Sequence, residues 1–116
     1  MRFMVIIKAD ARSEAGDVPS AELAAAMGRY NAALVRAGVL LAAEGLHPSS
    51  RGARIKCGAG GTRTVSDGPF PETEQLIAGF WLIDTKSRAE AIEWVKRCPV
   101  GNETELELRQ VADVVD

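Results

Sequence analysis

The 116-residue sequence predicts a single α+β domain in which two helices cover one face of an antiparallel sheet, and three observations predict it. Residues 76–83, Leu76 to Ile83, form an almost wholly apolar run. The run is too short to cross a bilayer, and its Phe, Trp and Ile content with Gly79 inside reads as a strand. The order of elements is strand, helix, strand, then a hairpin, then strand, helix, strand, which is the split β-α-β arrangement. Finally, a chain of this length supports one core, burying roughly two-thirds of the surface that its unfolded form exposes.

Each element has its own signal. Arg2 to Lys8 alternates Phe3, Val5 and Ile7 with Met4 and Ile6, a buried strand ending at the polar stretch Ala9 to Asp17. Ser20 caps a helix with Glu22 in its first turn, and Leu23, Met27, Tyr30, Leu34 and Ala37 recur at helical spacing until Gly38. Val39 to Ala43 is too short for a second helix and reads as a strand. After a polar bend, Ala53, Ile55 and Cys57 alternate with Arg54 and Lys56, and the glycine-rich residues 58–61 turn the chain into a hairpin partner at residues 62–66. No helix with Lys-Ser/Thr follows those glycines, so they are a hairpin loop and not a phosphate cradle. Ser87 to Glu90 matches a capping box for a second helix, which Pro99 and Gly101 stop. Thr104 to Val111 alternates Leu106 and Leu108 with charged residues, a strand near an edge, and the last five residues are expected to fray.

The first and central strands are apolar on both faces, yet two helices cover only one. The uncovered face exceeds what a monomer usually exposes, so a homodimer through packed sheet faces is expected. Lys plus Arg total 14 against 16 Asp plus Glu, a balance that gives no electrostatic reason to expect nucleic acid or an acidic membrane as partner. A small neutral or polar ligand fits better. Cys57 and Cys98 form no Cys-x-x-Cys pair, and no signal-peptide pattern opens the chain, so a cytoplasmic protein with reduced, structural thiols is expected.

The Asp67-Gly68-Pro69-Phe70 tetrapeptide, followed by Pro71-Glu72-Thr73 and the Gly79 to Asp84 strand, resembles the DGPF-domain branch of the YCII-related proteins. Ala37 to Leu40, Glu44 to Leu46, Ala89 to Trp94 and Arg97 to Pro99 look like landmarks of the same family, so the resemblance covers nearly the whole chain. It implies a dimeric, ferredoxin-like α/β barrel, bacterial and soluble, of largely undefined activity. Some relatives resemble small lyases or dehalogenating enzymes with a His-Asp pair, and the branch is associated with sigma-factor-like regulatory proteins. The family's His is expected near the first helix, which here has none; Asp67 matches its position, but the pair is not carried over.

The candidate site residues follow from chemistry. Asp67 opens a tight turn, where its carboxylate suits backbone N–H groups, and it is also the candidate general base of a cofactor-independent proton transfer or lyase-type reaction. His47 is its candidate acid/base partner, or else a loop histidine. Glu44, Phe70, Tyr30 and Arg54 are the candidate ligand contacts. Glu44 is alternatively ion-paired with Arg54 or Lys56, and Tyr30 is alternatively a core residue whose hydroxyl reaches the cleft. Cys98 reads as core. One histidine with two scattered cysteines makes a poor metal set, so no metal or cofactor is expected. The rival to catalysis is a ligand-sensing or interaction module in which the same pocket binds without turnover.

Overall fold

Residues 1–113 are described by a computed structural model. Six strands and three helices follow in the order β1 (Arg2–Lys8), α1 (Ala11–Glu14), α2 (Ala21–Arg36), β2 (Leu40–Gly45), β3 (Ala53–Cys57), β4 (Arg63–Asp67), β5 (Ile77–Asp84), α3 (Arg88–Lys96) and β6 (Leu106–Gln110). The expected fraying, for residues 114–116, lies outside the described residues.

Local chemistry fixes the helix ends. The Ser20 hydroxyl accepts from the Leu23 amide at 3.1 Å to start α2. At the other end Gly38 takes φ +72°, and the Gly38 and Val39 amides donate back to the carbonyls of Val35 and Leu34. That paired closure satisfies two carbonyls that the helix leaves open, and it turns Val39 inward beside Leu34. Ser87 caps α3 through the Glu90 amide at 3.1 Å. The Glu90 carboxylate reaches the Lys86 amide instead of that of Ser87, so the reciprocal half of the box lands one residue early.

Four strands form one antiparallel sheet in the order β2-β5-β1-β6. β1 and β2, joined through α2, are held apart by β5, which comes from the second half of the chain and lies between them. β6 lies at an edge, as its alternating charges require. Register sorts the side chains: Phe3 faces Ile83 and Val5 faces Trp81, and these four are buried with Tyr30 and Leu34 of α2 and Ala91 and Trp94 of α3. Tyr30 is the keystone. Its ring meets Trp81 and Trp94 edge-on at 5.6 and 6.4 Å, and its hydroxyl donates to the Trp94 carbonyl at 2.7 Å. Trp94 is thus part of the core.

Met4, Ile6, Phe80 and Leu82 point to the opposite face, which the core residues of the helices do not reach. Among the described residues the sheet is open, with β2 and β6 as edges, and no barrel closes. Two further features depart from the sequence reading. A one-turn helix, α1, occupies the expected polar stretch, and β3–β4 is a separate two-stranded sheet whose residues are all exposed. Cys57, on the side of its strand that alternation with Arg54 and Lys56 marks as apolar, is therefore exposed, because nothing among the described residues covers that hairpin face.

Burial of Cys98 has a measurable consequence. Desolvation pushes its thiol up from 9.0 to about 12, and burial followed by the nearby Cys98 charge raises the Tyr30 hydroxyl in the same direction. A raised folded-state value means that the stability contributed is complete below the unfolded value and is lost as pH climbs through the folded one. Denaturation midpoints should therefore fall above pH 9, and Cys98→Ala should fall less steeply between pH 9 and 11. A flat profile over that window would contradict the assignment.

Candidate functional site

The segment that sets the site in place is α1. Asp10 caps it by accepting from the Ser13 amide at 2.9 Å, while the Ser13 hydroxyl accepts from the Asp10 amide at 2.9 Å. This one-turn helix aims Glu14 at the loop after β2. There Glu14 Oε2 accepts from the Ser49 amide at 2.9 Å, and Oε1 accepts from the Ser49 hydroxyl. The same hydroxyl oxygen accepts from the Phe70 amide at 3.0 Å. Three segments distant in sequence are thereby tied at one serine.

Two local turns complete the geometry. Pro48 opens a tight turn over Ser49–Arg51, and it brings the Arg51 guanidinium to 3.1 Å from His47 Nε2. A guanidinium only donates, so in a hydrogen bond between the two Nε2 is the acceptor. Across from it, the tetrapeptide after β4 packs so closely that a Cβ on Gly68 would lie 1.8 Å from the Ser49 carbonyl oxygen. Only glycine fits there. The Gly68 amide donates to the Gly52 carbonyl at 3.0 Å, extending the hairpin ladder to its root.

The result is a cleft of about 290 Å³ lined by Glu14, His47, Ser49, Arg54, Phe70, Leu76 and Ile77 among others. Arg54 lies 3.9 Å from the centre of the Phe70 ring, and its guanidinium sits 3.6 Å from Glu72. A guanidinium held flat on an aromatic face keeps in-plane donors for an acceptor group. A slightly larger groove, about 310 Å³, is lined by Lys8, Asp10, Glu74, Glu103 and Glu105. It holds no aromatic ring and no aliphatic side chain larger than those of Ala9 and Ala11, whereas Phe70, Leu76 and Ile77 line the smaller cleft, the better site for an organic molecule.

The structure brings His47, Arg54 and Phe70 together in that cleft and leaves the other expected residues elsewhere. Asp67 is exposed at the end of β4, opposite Ala53, and does not line the cleft; among the described residues its carboxylate accepts no hydrogen bond. The turn is held by Gly68 and the Phe70 amide instead, so neither oxygen of Asp67 has the place expected for it. Glu44 is exposed on β2, and the partner proposed for it, Arg54, pairs with Glu72. Tyr30 spends its hydroxyl in the core. Glu14 and Ser49 were not among the expected residues. The available signal was Asp10 three residues before Ser13 with Gly16 close behind, a capped one-turn helix.

Residues 1–115 match the model of the YCII-related domain, which is the whole of the described chain. The chain belongs to the YCII-related family. A curated relative, an uncharacterised protein of Rhizobium meliloti (strain 1021), is 40% identical over 62 residues. That stretch is 53% of this chain and 49% of the relative, so the YCII-related chain matches only about half the length of that protein. Neither description assigns a reaction. Within this YCII-related domain no helix is long and apolar enough to cross a membrane, among the described residues. Nor do three His, Cys, Asp or Glu side chains gather there as a metal-holding set.

Proposed function

We propose that this YCII-related protein binds a small organic molecule in the cleft at the hairpin root and does not turn it over. The convergence of Arg54, Phe70, His47 and Glu14 on one concave surface carries the reading. Phe70, Leu76 and Ile77 offer an apolar wall, while Arg54 presents a donor. That combination favours a ligand with an apolar body and an acceptor at one end. Binding is favoured over lyase or hydrolase chemistry because both oxygens of the cleft carboxylate already serve Ser49, and Asp67 stands outside the cleft. A thermal-shift screen tests this. A ligand at a hundred times its Kd adds about 2.7 kcal/mol of stability. Arg54→Gln should abolish the shift, and Asp67→Asn should preserve it. The reverse pattern, or product formation that Asp67→Asn abolishes, would overturn the proposal.

The Asp67-Gly68-Pro69-Phe70 tetrapeptide supports assignment to the DGPF-domain branch, and the strand order supports a ferredoxin-like subunit. The uncovered Met4, Ile6, Phe80 and Leu82 support a homodimer in which two sheet faces pack into a barrel.

A further inference from the structure

The β3–β4 hairpin is an arm with one face that nothing among the described residues covers. Every residue of both strands is exposed, and the radius of gyration is 16.3 Å, against about 13 Å for a compact domain of this length. An isolated two-stranded hairpin is marginally stable in water. Its register separates two faces. Arg54, Lys56, Thr64 and Ser66 form a polar one, which at its root turns toward Phe70 and Glu72 through Arg54. Ile55 and Val65 stand opposite each other on the second face, 57% and 62% exposed, flanked by Cys57 with Arg63.

Charge points to what covers that face. Residues 51–67 hold Arg51, Arg54, Lys56 and Arg63 against Asp67, a net of +3; the whole chain is −2, so the rest of it is −5. A basic arm is drawn to the acidic body of another copy and repelled by another arm. Among the described residues two cations of the arm have no carboxylate partner, Arg63 on the face of Ile55 and Val65, which also carries Asp67 at its root, and Lys56 on the polar face. The open sheet face supplies the complement: apolar Met4, Ile6, Phe80 and Leu82, with Glu44 opposite Phe80, whereas Glu107 opposite Ile6 already meets Lys8 and Arg109. Glu44 is without an ion pair among the described residues. The root of the arm, fixed by Gly68 and the Glu14–Ser49–Phe70 tie, presents it at a set angle.

We infer that the hairpin is a clasp that crosses to a second copy of this chain, laying Ile55 and Val65 on the margin of the partner's open sheet face. The inference rests on the dimer proposed above. One arm face measures roughly 17 by 10 Å, far below the roughly 800 Å² per partner of a stable interface, so the sheets supply the main area and the arms close over it. Symmetry makes the exchange reciprocal.

Cys57 lies on the clasping face and Cys98 is buried, so maleimide labelling of Cys57 reads the contact directly. Labelling is followed beside sedimentation velocity from submicromolar to high micromolar protein. The clasp predicts a dimer whose formation slows Cys57 labelling by about tenfold or more, and Ile55→Glu with Val65→Glu should restore fast labelling and weaken the dimer by a similar factor. Both residues are exposed and outside the core, so this variant should fold, which circular dichroism checks. Labelling that is indifferent to dimer formation would overturn the clasp and leave the sheet-face dimer standing. A monomer at every concentration would overturn both.

Discussion

Gly68→Ala is expected to cost at least about 3 kcal/mol, the upper end of what overpacking usually costs, and to disorganise the cleft. The added Cβ would fall 1.8 Å from the Ser49 carbonyl oxygen and 2.6 Å from its carbon, both backbone atoms that no side-chain rotation can move aside. Either the tetrapeptide or the turn over Ser49–Arg51 must shift. Both carry the cleft. The informative control is Gly52→Ala, since its Cβ would sit 3.4 Å from the same carbonyl oxygen on an extended backbone. That variant should change stability by about 0.5 kcal/mol or less, as for most surface substitutions. Urea denaturation of the pair separates a specific close approach from a general intolerance of side chains in this loop. Equal losses in both would refute the packing argument.

Glu14→Ala should be the next most damaging change. It leaves the Ser49 amide and hydroxyl without their acceptor, and the hydroxyl in turn fixes the Phe70 amide. Hydrogen bonds to a charged group contribute about 1.5–3 kcal/mol, and water can reach this half-buried site, so a loss of about 2 kcal/mol is expected. Glu14→Gln keeps one acceptor oxygen for the Ser49 amide and should lose about half as much. Faster hydrogen exchange at Ser49 and Phe70 should accompany the loss in Glu14→Ala. Unchanged exchange there would mean that α1 does not hold the loop.

Much of the fold was legible because periodicity and capping are local. Ser20, Gly38 and Ser87 end their helices where sequence alone puts them, and alternation in β1, β5 and β6 sorts inward from outward residues. The site was less legible for a physical reason. Its organising contact joins Glu14 to Ser49 and Ser49 to Phe70, across separations of 35 and 21 residues that no spacing rule encodes. Asp67 drew notice as a turn-forming carboxylate, whereas the turn rests on the missing side chain of Gly68. Cys57 misled similarly. Alternation gives the hairpin an apolar face, and only the tertiary structure reveals that this face has no cover among the described residues.

The central claim is that the hairpin-root cleft, and not the Asp67 turn, is where this protein meets its ligand. Backbone amide shifts, followed by NMR while the strongest binder from the thermal screen is titrated, test it most directly. The account predicts saturable shifts clustered at Glu14, His47, Ser49, Arg54, Phe70 and Ile77, absent in Arg54→Gln. Shifts centred on Asp67 and Glu44 that survive Arg54→Gln would contradict it.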